Sequence, residues 1–246
     1  MSQYAIFARF YDLLTQNVDY ALWAGRLDKL IRRNMQLPQQ PLLLDLACGT
    51  GSLAVELIAK GYDIIGVDAS PDMLSVARQK LPGALLLCQD MCRLDLYGTV
   101  DVTVCALDSI NHLPSRRALE EAFARVALFT APGGLFLFDV NTAYKHREVL
   151  GNSVFVFDTD EVFCTWQNQY TARDDTIEMT LDFFVPGENE TYHRHTERFA
   201  ERVFEHTVLA DALRTHGFEL LEKLAEADED PQETQRVLYV ARRKAK

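Results

Sequence analysis

Apolar residues fall into two rhythms along this chain. From Pro41 to Val140 they come in short, nearly unbroken runs separated by stretches of helical spacing, whereas between 152 and 202 they alternate singly with polar residues. The unbroken runs are Pro41–Leu46 (interrupted only by Asp45), Tyr62–Asp68, Ala84–Leu87, Val100–Ala106 and Leu135–Val140. Such runs predict strands buried on both faces, as in a parallel sheet covered by helices. Ser52–Lys60 has helical periodicity, with Leu53, Val55, Leu57 and Ile58 on or near one face. Pro71–Leu81 predicts a second helix, with Ser70 as N-cap, Pro71 at its first position and Asp72 in its first turn. Pro132-Gly133-Gly134 predicts a turn into the fifth strand.

The alternating region predicts antiparallel strands. In Thr176–Val185, Ile177, Met179, Leu181, Phe183 and Val185 share one side, and Glu178, Thr180 and Asp182 the other. Val154–Phe157, Val162–Thr171 and Glu190–Phe199 are its expected neighbours, and Asn141–Leu150 reads as a short linker helix before them. Beyond a helix over Glu205–Thr215 come strands His216–Leu224 and Gln235–Arg243, joined by a loop whose acidic run, Glu226–Asp230, reads as solvated. Strand–loop–strand without a helix implies an antiparallel hairpin at the edge of the parallel sheet. The expected organisation is a core of residues 1–150 and 203–246 with an N-terminal helical cap, and an inserted β lid of 151–202 over the cleft at the strand ends. The same insert could instead serve as a dimerisation flap, leaving monomer and homodimer both open.

The first strand runs into a glycine turn, and one carboxylate sits at its end. Gly49, Gly51 and Ala54, with Asp68 further on, also satisfy the spacing of a dinucleotide fingerprint, so an NAD(P)-dependent oxidoreductase is the competing reading. Asp45 opposes it: a carboxylate inside the strand end would face a pyrophosphate unfavourably, and would favour a ligand bearing an ammonium or sulfonium.

The stretch Asp45-Leu46-Ala47-Cys48-Gly49-Thr50-Gly51 resembles motif I of the class I S-adenosylmethionine-dependent methyltransferases, with Ala47 at the first glycine position. The resemblance implies an α/β fold: a Rossmann-like, seven-stranded, mostly parallel sheet with an antiparallel C-terminal hairpin, here with the inserted antiparallel β lid. It also implies a cofactor site for S-adenosyl-L-methionine. Asp68 would accept the ribose hydroxyls, Asp90 the adenine amino group, and Met73 and Met91 would flank the adenine as soft apolar walls. Ala69 and Leu107, after the second and fourth strands, join Asp45, Ala47, Gly49 and Gly51 in the expected cofactor set. The N-terminal pattern F-A-x-x-Y-D-x-L (Phe7–Leu14), then D-Y-x-x-W (Asp19–Trp23), resembles a bacterial small-molecule group that includes sugar N,N-dimethyltransferases and glycine/sarcosine methyltransferases with a β-rich lid. In that group a histidine stands in a context like Ser109-Ile110-Asn111-His112-Leu113, which makes His112 the expected base. Tyr11 is expected to orient the acceptor through its hydroxyl, with aromatic packing, starting at Tyr4, as the competing role for this segment.

Composition narrows the acceptor. With 246 residues, 48% of them apolar, the chain can bury one large core plus a small satellite. A net charge of −11 offers no broad attraction for nucleic acid. There is no Asn/Asp-Pro-Pro-Tyr/Phe sequence of exocyclic amino methylases and no cysteine preceded by proline, so a small-molecule acceptor is expected rather than a base. No apolar run approaches the roughly 18 residues of a membrane span. Five cysteines, an odd number, read as thiols in a reducing cytoplasm. No metal is expected. His193 and His195 lack a further partner, and Asp139 and Asn141, beside Asp108, are separated by Val140 where catechol-type O-methyltransferases use an adjacent acid–asparagine pair. A non-catalytic cofactor-binding protein remains the third class.

Overall fold

The computed structural model describes residues 5–225 and 233–245; Tyr4 and the acidic run Glu226–Asp230 lie outside the described residues. Five adjacent parallel strands, reaching one edge, make up most of a seven-stranded sheet: β1 (Leu42–Leu46), β2 (Asp63–Asp68), β3 (Leu85–Cys88), β4 (Val100–Cys105) and β5 (Thr130–Asn141). β10 (Phe218–Ala225) and β11 (Arg236–Arg243) complete it, in the order β10-β11-β5-β4-β1-β2-β3. β11 enters antiparallel between β5 and β10, so the expected terminal hairpin is present with its second strand on the inside. Leu43, Leu44, Val102, Val104, Leu135 and Phe136 are fully buried, which is why the core strands read as unbroken apolar runs.

Helices α2 (Tyr20–Asn34), α3 (Ser52–Ile58) and α4 (Pro71–Lys80) cover one face, and α5 (Arg116–Phe129) and α6 (His206–Thr215) the other. Ser70 caps α4, its hydroxyl accepting the Met73 N–H at 3.2 Å, as its position before Pro71 predicts. Gly51, with φ +78°, begins α3, and a Cβ there would lie 2.7 Å from Leu81 Cδ1; the glycine lets α3 close on the end of α4. β5 starts at Thr130, five residues before the expected strand, because it pairs through the Pro132-Gly133-Gly134 segment with a register shift against β4.

The insert is a four-stranded antiparallel sheet, β6 (Val154–Asp158), β7 (Phe163–Thr171), β8 (Thr176–Pro186) and β9 (Tyr192–Arg202), in sequential order. Between β5 and β6, residues Lys145–Leu150 form a π-helical turn rather than the longer linker helix, since Asn141 already belongs to β5. β9 runs three residues past the expected end at Phe199, to Arg202. The N-terminal helix α1 (Ala5–Leu14) shares the lid's core: Phe10 and Leu14 pack with Ile177, Met179, Leu181 and Phe183, and the Phe10 and Phe183 rings stack 6.1 Å apart. α1 thus packs both with the lid's core and against α4 of the main sheet's helical layer, where Asp12 pairs with Lys80.

Candidate active site

A cavity of about 830 Å³ opens at the carboxyl ends of β1, β2 and β4, the place where an open α/β sheet binds ligands. Its floor carries Ala47, Gly49, Asp68, Ala69, Met73, Asp90, Met91 and Leu107. Its other side is aromatic, formed by Phe7 and Tyr11 of α1 and by Phe155, Phe157, Trp166 and Phe199 of the lid. His112 lies on the wall of the same cavity.

Asp45 lines a smaller adjoining cavity of about 40 Å³, together with Tyr11, Ala47, Gly49 and Leu107. Only 2% of Asp45 is exposed, and its Oδ2 has no hydrogen-bond partner among the described residues. Burial, reinforced by the nearby Asp68, pushes its carboxyl up to about 7. Of the residues expected at the cofactor, Gly51 alone lines neither cavity; it serves the turn and the packing of α3.

Asp68 holds the turn from below. Its Oδ2 accepts the Gly49 N–H at 2.9 Å and its Oδ1 the Ser70 N–H at 2.8 Å. Burial raises its carboxyl above the ordinary range, against those backbone donors. Gly49 itself has φ +53°, and nothing lies within 4 Å of where its Cβ would be, so the turn is open toward a ligand. Asp90 Oδ1 accepts the Cys92 N–H at 2.8 Å, at the start of a 3₁₀ turn that carries Met91 into the cavity. Tyr11 is flanked edge-on by Phe7, with ring centroids 5.2 Å apart, and burial raises its hydroxyl far above the ordinary range.

The loop after β4 is built with strain. Leu107 and Asp108 both adopt left-handed backbone, φ 58° and 56°, which costs about 1–3 kcal/mol each for non-glycine residues. Asp139 of β5 holds them there, accepting the Leu107 N–H at 2.7 Å and the Asp108 N–H at 3.0 Å. Arg236 of β11 bridges Asp139 to Asp108, at 2.7 Å from the Asp108 carboxylate. Against its burial, Arg236, Lys145 and His112 hold Asp108 well below the usual carboxylate range.

His112 ends the 3₁₀ turn Ser109–His112, with its ring 5.7 Å from Phe199 and its side chain 38% exposed. Asp108, His112 and Glu201 could each offer one ligand atom within 4.8 Å of the others. Arg236 pairs with Asp108 as well as with Asp139, and His146 and Asn141 both hydrogen-bond Glu201 Oε2. Asp139, Arg236 and Glu201 were not marked as site residues by the sequence. The available signal for Glu201 is its place on β9: it pairs with Ile177, and Glu197 with Leu181, so two buried acids stand opposite the apolar face of β8.

Residues 43–134 match the family model for a methyltransferase domain. An S-adenosylmethionine-dependent methyltransferase from Clostridium acetobutylicum ATCC 824 is 33% identical, with a TM-score of 0.85 over 99% of this chain and 100% of that one. The methyltransferase homologue YqeM of Bacillus subtilis (strain 168) is 31% identical over 99% of this chain and 98% of its own. A dTDP-3-amino-3,6-dideoxy-alpha-D-glucopyranose N,N-dimethyltransferase of Streptomyces fradiae is 35% identical over 52% of this chain and 50% of its own. Similarity at this level along the whole of both chains, on a sheet of this strand order, leaves no place for the oxidoreductase reading, and the chain belongs to the class I S-adenosylmethionine-dependent methyltransferases.

Proposed function

We propose that this chain N-methylates a small-molecule amine. The observation that carries the reading is one cavity with an acid-lined floor at the glycine turn, an aromatic wall from α1 and the lid, and His112 on its side. Its volume of about 830 Å³ lies in the upper part of the usual range of roughly 300–1,000 Å³ for ligand pockets, which suits a cofactor and an acceptor together.

The cofactor of this family, S-adenosylmethionine, fits the residues present. An unpartnered, buried carboxylate beside a small cavity suits the cofactor's ammonium group, and Asp45 supplies it. Asp68 would hold the ribose hydroxyls, and Asp90 the adenine amino group between Met73 and Met91, with Ala47, Gly49, Ala69 and Leu107 as backbone and apolar contacts. When bound, the sulfonium supplies a methyl group with a good leaving group attached.

The chain's own residues then position and deprotonate. Tyr11 and the lid aromatics would hold the acceptor in line, the kind of positioning that supplies about 7–11 kcal/mol in favourable cases. The amine nitrogen would take the methyl group that the sulfonium supplies, leaving a neutral thioether, and its surplus proton would pass to His112. An imidazole suits an ammonium-type proton better than that of an alcohol, which favours N- over O-methylation. Three buried and two further cysteines, all unpaired, fit a reducing cytoplasm.

Calorimetry with S-adenosylmethionine, S-adenosylhomocysteine and NAD tests the cofactor. A labelled-methyl transfer screen over amines (aminosugar nucleotides, glycine, sarcosine) and matched alcohols tests the acceptor. Transfer to amines with release of S-adenosylhomocysteine is expected. Tight cofactor binding with no transfer, or transfer to alcohols alone, would overturn the reading.

A further inference from the structure

Glu201 sits at the end of lid strand β9, with its side chain 5% exposed, among polar groups of fixed direction. His146 Nε2 lies 2.9 Å from its Oε2, and Asn141 Nδ2 donates to the same oxygen at 2.9 Å. Lys145 Nζ donates to Asn141 Oδ1 at 3.0 Å, which sets the amide the right way round. Asn141 is held in turn, its backbone N–H donating to Asn111 Oδ1 at 2.9 Å and its carbonyl accepting from Asn111 Nδ2 at 3.2 Å. His146 is fully buried, and its Nδ1 has no hydrogen-bond partner among the described residues. Two hydrogen bonds thus occupy Oε2, and Oε1 lies 3.9 Å from His112 Nε2.

We propose that Glu201 is the positioning residue for His112: it accepts the Nε2 proton, leaves Nδ1 as the basic nitrogen, and matches the positive charge the ring acquires. The inference rests on the reading of His112 as the base. The 3.9 Å gap is longer than a hydrogen bond, a common state of a catalytic pair before substrate is bound. Because Glu201 belongs to β9 while His112 follows β4, the base is oriented only when the lid is seated on the core. The other charges facing His112 are Asp68 and Asp108 from the core, with Arg236 paired to Asp108 and with Lys145 and His146 behind Glu201.

Nitrogen-15 NMR of the histidine rings in S-adenosylhomocysteine-saturated protein tests this without a known acceptor, His112 being assigned by its loss in His112→Gln. In the wild type, the neutral ring is expected to carry its proton on Nε2; a proton on Nδ1 would overturn the proposal. In Glu201→Gln, the His112 titration midpoint should fall by about one unit or more, since removing a negative charge makes the imidazolium harder to form. Glu201→Asp should restore at least half of that fall. A folded, S-adenosylhomocysteine-binding Glu201→Gln with an unmoved His112 midpoint would also overturn it. Failure of the wild type to bind S-adenosylhomocysteine would instead remove the cofactor reading, and the tautomer in ligand-free protein would still decide the His112–Glu201 contact.

Discussion

The carboxylate of Asp139 accepts the backbone N–H of Leu107 at 2.7 Å and so holds a β4 loop that would otherwise not stay left-handed. The same carboxylate accepts the Asp108 N–H and pairs with Arg236, so one fully buried side chain fixes the floor of the cavity between β4 and β5. Asp139→Asn turns one acceptor oxygen into a donor facing an N–H, or facing a guanidinium. Breaking a buried pair in this way costs about 3–5 kcal/mol. A loss of that size is expected in urea unfolding, together with weaker S-adenosylhomocysteine binding by calorimetry. A variant as stable as the wild type would mean that the loop holds its own conformation.

Asp45 gives cofactor binding a pH dependence. Its carboxyl is pushed up to about 7 by burial and by Asp68, so much of it is protonated at slightly acid pH in the ligand-free protein. A folded-state value above the unfolded one makes Asp45 stabilising below the unfolded range, near 4, and this contribution is lost as pH rises through about 7. A cationic partner reverses that penalty. S-adenosylhomocysteine should therefore raise the melting temperature more at pH 8 than at pH 6, and binding at pH 6 should release a proton, measured by calorimetry in buffers of different ionisation heat. Asp45→Asn should abolish the release. Uptake of a proton, or none in the wild type, would place the ammonium elsewhere.

The core strands were legible because β1, β4 and β5 are buried almost throughout, and Asp45 and Asp68 fall at the ends of the first two runs; the places of Asp68 and Asp90 in a cofactor site came from the family resemblance. The network of Asp139, Arg236 and Leu107 was not, because its bonds join β4, β5 and β11 and end on backbone N–H groups that carry no side-chain signature. Periodicity showed that α1 has a buried face but could not say which surface it meets; Phe10 and Leu14 meet the lid. Register had the same effect on Glu201, whose place on the same face as Phe199 becomes informative only once β9 is paired with β8.

Asp12 of α1 and Glu197 of β9 join the lid body to the rest of the molecule. Asp12 Oδ1 accepts from Thr50 Oγ1 at 2.7 Å and from Ser52 Oγ at 3.1 Å, with Lys80 at 2.5 Å from Oδ2. Glu197 Oε1 accepts the Ile6 and Phe7 N–H groups at 2.9 and 3.0 Å, an N-terminal cap supplied from another element. Loss of a cap costs about 0.5–2 kcal/mol. In Glu197→Ala, amide exchange in α1 should therefore quicken by roughly 2- to 30-fold while β8 stays protected. Unchanged exchange in α1 would assign its anchoring to Asp12 and the Phe10 packing.

Asp68→Ala should weaken S-adenosylmethionine binding by about 1.5–3 kcal/mol per charge-assisted bond lost. Its two backbone bonds to Gly49 and Ser70 make Asp68 a support of the turn besides its proposed hold on the ribose, so Asp68→Asn is the informative companion. Asparagine keeps one acceptor for the turn and loses the charge. An affinity near the wild type in Asp68→Asn, with a loss in Asp68→Ala, would assign the residue to the turn; equal losses would assign it to the ribose.

His112→Ala separates proton removal from positioning. His112 lies on the cavity wall beside Phe199 and carries no cofactor-binding role, so its removal should leave S-adenosylmethionine affinity nearly intact. Turnover of the amine found by the transfer screen should fall by roughly 10²-fold or more. With His112 as the base, the wild-type pH–rate profile should rise with pH, because only a neutral ring accepts the proton. An amine losing its own proton would produce a similar limb, so the profile of the variant decides. A limb that disappears in His112→Ala identifies the ring as the base. If turnover and limb both survive, the acceptor sheds its proton to solvent, and catalysis rests on how Tyr11 and the lid aromatics hold it against the methyl group.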